Sequence, residues 1–410
     1  MQTNTRFSVQ AQGDSMYPLL QDGDLVEYER VPFSKISVHD IVLTYGKEKE
    51  AFVTHRVIYK TLSFLITKGD NNPTADERIK KGQILARVVR FKRKGAWYGI
   101  SDVYLAQSAI YLHEIQQLET LLRKSKIPHV FLKGVLVSLR YEGTIPKRIY
   151  ADCDILVNRE EYRKIVQVFK QLGYTLFLEQ ALFLSSQKNP EDRSEVNFIK
   201  RVNGVPVVFD VHFEPVFLMP WIQSIGFLYP SSLLQKLGRA LVSRGQAVAI
   251  KGSTYSLCNI SDQILYLVLH IYNHNFVGSI RYQLLSLIIK KKASKKTFDE
   301  LSKTIREYKL EGYAYPVFLL LNAHYKKIVP PSFLSSIAPS AFKTSIALRA
   351  MSKVNIFDAY DSSFTRMKRF VLTFLLSGEP IGKKIFFVFH PKVIWSLGTI
   401  IWTKIHKKDI

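Results

Sequence analysis

Over the first hundred residues, apolar and polar side chains alternate in short runs. Asp24-Leu25-Val26-Glu27-Tyr28, His39-Asp40-Ile41-Val42-Leu43-Thr44-Tyr45 and Phe52-Val53-Thr54-His55-Arg56-Val57-Ile58 alternate or carry β-branched residues, with Gly, Pro and Asp between them. This predicts an all-β unit over residues 1–100, a small barrel or folded sheet. Its exit lies at Lys92-Arg93-Lys94-Gly95 and Gly99 to Asp102. From Val103 the period changes. Tyr104, Ala109, Leu112, Ile115, Leu118, Leu121 and Leu122 recur at helical spacing. Helix and strand then alternate: Val130-Phe131-Leu132 into Lys133-Gly134, a helix to about Tyr141, a strand over 151–157, a helix over 159–172, and strands near 174–184, 194–200 and 205–213. Residues 103–230 therefore read as an α+β unit with a mixed sheet, and residues 231–410 as a mostly helical, basic C-terminal region. The chain is multidomain, without internal repeat or low-complexity segment.

Two stretches in the β unit carry candidate chemistry. In Gly13-Asp14-Ser15-Met16-Tyr17-Pro18, proline fixes its own φ and drives Tyr17 from the helical region, so Ser15 sits in a rigid turn. On this hexapeptide alone, a turn serine and a nucleophile are equally open. Thr54-His55-Arg56-Val57-Ile58 then places an imidazole in a strand, and Lys68-Gly69-Asp70-Asn71-Asn72 and Asp76 supply carboxylates. A hydroxyl beside a base is an activated nucleophile. Ser15 would attack a peptide carbonyl and His55 would shuttle the proton, with Asp70 or Asp76 orienting His55 or bracing the site. This requires the fold to bring the Ser15 hydroxyl and the His55 ring within one hydrogen bond. The order Ser-Met-x-Pro, His-Arg-Val, Lys-Gly-Asp-Asn and a second Asp resembles the signal peptidase I family over roughly residues 8–100, in its serine/histidine branch. The resemblance implies a serine endopeptidase without cofactor, acting on peptides with small side chains just before the cut.

The α+β unit carries a second constellation. Ala151-Asp152-Cys153-Asp154 sets two carboxylates two apart in a strand, hence on one face. Two anions so close repel, and a divalent cation resolves the conflict; hard oxygen ligands favour Mg²⁺ or Mn²⁺ over zinc. Asp210, in Val208-Phe209-Asp210-Val211-His212, offers a third carboxylate. Lys133-Gly134 ends a strand and opens a helix whose N-terminus suits phosphate. These parts fit phosphoryl or nucleotidyl transfer. Lys-Gly, Arg148, Asp152-x-Asp154 and Asp210-Val211-His212 together resemble the uncharacterised nucleotidyltransferase family of the polymerase-beta-like superfamily, over about residues 105–330. That resemblance implies transfer from a nucleoside triphosphate to an acceptor. Val135 after Gly134 departs from the glycine or serine usual in the wider superfamily. His270 and His274 lie four apart on one helical face. Without a glutamate in the HExxH position they read as packing residues rather than a zinc pair.

Composition narrows the setting. At 410 residues and 47% hydrophobic, the chain has material for two or three cores. Two cysteines, Cys153 and Cys258, form no disulfide framework and fit a reducing cytoplasm. The start runs directly into the serine motif without an apolar segment, and Val393–Thr403 is uncharged but too short to span a bilayer. The expected location is cytoplasmic, with membrane association an open alternative. The net charge of +24 is uneven: +5 over residues 1–100, +4 over 101–250 and +15 over 251–410. Such a region attracts anionic membrane or RNA, or is a solvated lysine-rich surface. The expected protein is bifunctional, peptidase and nucleotidyltransferase. The alternative is that one unit is active and the other only binds peptide or nucleotide, with the basic tail docking on membrane or RNA.

Overall fold

The computed structural model describes residues 5–46, 51–143, 148–177, 193–215, 218, 225–352, 354–358 and 363–406. Eight strands form the first sheet: β1 (Arg6–Gln10), β2 (Leu25–Glu29), β3 (Ile41–Gly46), β4 (Ala51–Lys60), β5 (Phe64–Lys68), β6 (Arg78–Lys80), β7 (Ile84–Arg93) and β8 (Ala96–Gly99). The order is β1-β2-β7-β3-β4-β5-β6, with β8 also on β7. Every pairing is antiparallel. Bulges at Glu27/Tyr28, Leu43/Thr44 and Val57/Tyr59 bend the strands, as a folded sheet requires. Alternation therefore gives two small cores. Met16, Leu20, Val26, Ile41 and Phe91 form one; Ile36, Val42, Val57, Leu65 and Ile79 form the other.

Helix α1 (Ile100–Lys124) joins the two halves. Its first turns put Ile100 and Tyr104 into the β-sheet core, and its later turns put Tyr111, Ile115, Leu118 and Leu122 into a second, larger one. Around that core run β9 (His129–Phe131), α2 (Val135–Glu142), β10 (Cys153–Val157), α3 (Tyr162–Gln171), β11 (Thr175–Phe177), β12 (Glu195–Val202), β13 (Val205–His212), α4 (Ser231–Ser243), β14 (Gln246–Ile250) and β15 (Ser253–Leu257). The second sheet is mixed, ordered β11-β12-β13-β10-β9-β15-β14. β10 with β13 and β9 with β15 are parallel.

The strand expected over 174–184 is described only as far as Phe177; its remainder lies outside the described residues. The region expected to be mostly helical from residue 231 contributes the β14–β15 hairpin to the sheet. Helices prevail only beyond it: α5 (Ile260–Asn273), α6 (Ser279–Lys292), α7 (Lys295–Glu307), α8 (Glu311–His324), α9 (Pro331–Ser336), α10 (Ala341–Met351), α11 (Ser363–Leu376), α12 (Ile381–Val388) and α13 (Pro391–His406). The buried faces of α5 to α8 belong to the same core as the second sheet. Among the described residues no helix is long and apolar enough to cross a membrane.

The first sheet seats on these helices through Tyr59. Its ring meets Tyr325 and Phe357, and its hydroxyl donates to the His324 carbonyl at 3.2 Å. Gln283 of α6 also donates to the Ile58 carbonyl on β4.

Candidate functional site

Register builds the acidic site. β10 and β13 run parallel with Asp154 opposite Asp210, and Asp152 stands just before β10 begins. One ligand atom from each of the three carboxylates lies within 4.8 Å of the others. On the far side, the Leu132 N–H donates to the Asp154 carbonyl at 2.9 Å. This aims the next residue, Lys133, between the acids. Its Nζ lies 3.1 Å from Asp152 Oδ2 and 3.1 Å from Asp154 Oδ2. Gln263 of α5 holds the turn by donating to the Leu132 carbonyl at 2.8 Å.

Gly134 follows at φ +95° and caps α2. A Cβ there would stand 3.3 Å from the Asp152 carbonyl oxygen, so both the conformation and the close approach call for glycine. Arg148 does not join the acids. It donates to Ser138 Oγ at 2.6 Å and lies 3.9 Å from Glu142, bracing α2.

Two residues that the sequence analysis did not single out complete the site. β12 pairs with β13 so that Asn197 faces Asp210 and Glu195 faces His212. Asn197 donates to Asp210 Oδ1 at 2.5 Å. His212 Nε2 lies 2.9 Å from Asp154 Oδ1, and Nδ1 3.2 Å from Glu195 Oε2. The available signal was period two: Glu195 and Asn197 alternate on β12 as Asp210 and His212 do on β13.

The charges are unevenly balanced. Burial alone would raise the Asp154 pKa, but Lys133 and His212 outweigh it and hold the carboxyl below its ordinary range. Burial would likewise lower His212, yet Glu195 and Asp154 push it up to about 9. Asp210 has only the weaker pull of His212 against burial and its neighbours. Burial, then Asp154, Glu195 and Asp152, push it up to about 7. Asp154 Oδ2 is buried, with Lys133 Nζ 3.1 Å away. Three converging carboxylates, with only oxygen to offer, are a donor set suited to Mg²⁺ or Mn²⁺.

The α5 histidines behave as packing residues. His270 Nε2 accepts from Arg281 Nε at 3.2 Å, and the rings of His270 and His274 lie 4.4 Å apart. Burial, then the surrounding cations, holds both neutral, with His274 lowered to about 2.

The first sheet carries a separate constellation. His55 on β4 is buried, with Nδ1 2.7 Å from Asp76 Oδ2. Thr67 Oγ1 donates to the same oxygen at 2.6 Å. Of the two carboxylates left open by the sequence, Asp76 therefore meets His55. Asp70 is taken by Arg56, at 2.7 and 2.5 Å, and Arg56 also donates to the His39 carbonyl at 3.1 Å. Ser15 sits in a turn anchored by buried Met16, Leu19 and Leu20. The Asn71 N–H donates to the Ser15 carbonyl at 2.8 Å. A Cβ on Gly69 would come within 2.6 Å of that carbonyl, so Gly69 lets the two turns meet. Ser15, His55 and Asp76 line one cavity of about 1160 Å³. Among the described residues, the expected direct hydrogen bond from Ser15 to His55 is not formed. Such bonds are often long before substrate binds.

Comparison with known proteins bears on the second half. The family model described as uncharacterised nucleotidyltransferase matches residues 82–326. That stretch contains Lys133, Gly134, Asp152, Asp154 and Asp210, and leaves out Ser15, His55, Asp70 and Asp76. Among solved structures, the chain is similar to the antibiotic-resistance factor ANT(2'')-Ia. The identity is 11% and the TM-score 0.31, over 50% of this chain and 95% of that one. No curated protein matches the chain.

Proposed function

Because the chain belongs to the uncharacterised nucleotidyltransferase family, we propose that its second sheet transfers a nucleoside monophosphate from a nucleoside triphosphate to an acceptor hydroxyl. The observation that carries this is the convergence of Asp152, Asp154 and Asp210 beside Lys133 and the glycine-capped start of α2. Asp152, Asp154 and Asp210 would hold Mg²⁺ or Mn²⁺, which supplies charge neutralisation at the phosphates when bound. Lys133 and the backbone at Gly134 bind phosphate oxygens. The acceptor oxygen bonds to the α-phosphorus, the bond to pyrophosphate breaks, and the hydroxyl proton passes to Asp210. Among the described residues, Asp210 is the one carboxylate of the three without an ion pair. His212, held by Glu195, fixes Asp154. The test is transfer of an α-labelled nucleotide with Mg²⁺ present. It is expected with the intact chain and lost in Asp152→Ala; equal transfer by that variant refutes the assignment.

For the first sheet we propose a serine endopeptidase. Support comes from the cavity that Ser15, His55 and Asp76 share and from the 2.7 Å His55–Asp76 contact. Asp76 orients the ring through Nδ1, leaving Nε2 for the serine. Ser15 Oγ bonds to the peptide carbonyl carbon and its proton passes to His55. The C–N bond then breaks as His55 protonates the amine, and water hydrolyses the ester. Ser15→Ala and His55→Ala should each abolish cleavage of a peptide library read by mass spectrometry. Cleavage retained in either refutes the proposal.

A further inference from the structure

The last two helices present an apolar surface that neither proposed reaction uses. On α12, Phe387 points inward and packs with Leu228 and Val393. The opposite face carries Ile381, Ile385 and Phe389, spaced four apart, at 68%, 51% and 72% exposure. On α13, which packs against α12 through Val393 and Phe387, Ile394 and Trp395 are each 54% exposed. Five large apolar side chains exposed on two packed helices point to a docking surface rather than ordinary surface scatter.

Charge selects the occupant. Residues 363–406 hold seven lysines and arginines, of which Arg369 and Lys384 are buried, against one acid, Glu379, which lies 2.9 Å from Lys383. Lys383 and Lys392 are exposed on the same two helices. A second copy would set one strongly positive chain against another. RNA would find three isoleucines that neither stack on bases nor hydrogen-bond. Apolar residues with a tryptophan, accompanied by the exposed Lys383 and Lys392 and a single acid, match a lipid interface with anionic headgroups.

We propose that the α12–α13 surface lies on an anionic lipid bilayer, with its isoleucines, Phe389 and Trp395 at the acyl boundary and its lysines among the headgroups. The helices lie on the membrane and do not cross it. At 1.5 Å per residue, α13 is about 24 Å long, short of a hydrocarbon core of about 30 Å.

The full chain is tested by co-sedimentation with vesicles of phosphatidylglycerol and phosphatidylcholine, and with phosphatidylcholine alone. The expected result is binding to the anionic vesicles that weakens as salt is raised. Ile381→Ser/Phe389→Ser should bind at least tenfold more weakly with an unchanged melting curve, and Lys383→Gln/Lys392→Gln should flatten the salt dependence. Should the serine variant fail to fold, the intact chain decides: brominated lipid should quench a fluorescence component that disappears in Trp395→Phe. No sedimentation with anionic vesicles at low salt overturns the proposal. So does a patch substitution that abolishes self-association or RNA retention while leaving vesicle binding unchanged.

Discussion

Asp154 and Asp210 stand opposite each other on the parallel strands β10 and β13, but of the two, among the described residues, Asp154 is the one in ion pairs. Lys133 Nζ lies 3.1 Å from one Asp154 oxygen and His212 Nε2 lies 2.9 Å from the other. Asp210 receives a neutral donor, Asn197. The same substitution at the two positions should therefore have opposite effects on stability. Asp154→Asn removes the anion that Lys133 and buried His212 share, leaving them only Asp152 and Glu195, and should cost about 3 kcal/mol. Asp210→Asn removes a like charge from a crowded site and should stabilise the metal-free protein by about 1 kcal/mol. Both should lower nucleotidyl transfer at least a hundredfold. Chemical denaturation beside the transfer assay checks the pair.

Gly134→Ala should damage the same site from the backbone side. Its φ of +95° is strained for alanine, and the added Cβ meets the Asp152 carbonyl at 3.3 Å. A cost of about 1–3 kcal/mol is expected. Weaker Mn²⁺ binding should accompany it as Asp152 is displaced, which calorimetric titration reads directly.

The two acids of the first sheet should separate by function. Asp76→Asn leaves the Ser15 turn intact but loses the anion against His55 Nδ1. Peptide cleavage should fall about a thousandfold or more with little change in melting temperature. Asp70→Ala instead leaves the Arg56 guanidinium, 7% exposed, without its bidentate partner. It should destabilise by about 3 kcal/mol. Were Asp70→Ala to melt like the unaltered protein, the Arg56 pairing would be only a surface feature.

Acid should weaken the helical half through α5. Burial, then neighbouring cations, lowers the pKa of His270 and His274 in the fold, while in the unfolded chain each titrates near 6.5. Below that pH the unfolded state binds more protons. Stability is thus complete above about pH 6.5 and falls as pH drops below it, by at most about 1.4 kcal/mol per unit for each histidine that stays neutral. His270→Gln still accepts from Arg281 and does not titrate, so denaturation curves between pH 7.5 and 5 should be flatter for it.

The sequence by itself determined the local elements and the chemistry they carry. Alternation marked β2, β3 and β4, and the helical period marked α1. Asp152, Asp154 and Asp210 could be chosen because close carboxylates on strands repel unless something compensates them. Proline and glycine spacing placed Ser15 and Gly134 in turns, since those residues limit or free the backbone wherever they occur. Only the tertiary structure decided the partners. Asp70 and Asp76 lie in one short stretch, and sheet packing gave one to Arg56 and the other to His55. Glu195 and Asn197 joined the acidic site through the β12–β13 register, and β14–β15 left the expected helical region to pair with β9. Pairing across a sheet depends on which residues the chain brings opposite one another, and neither periodicity nor propensity records that.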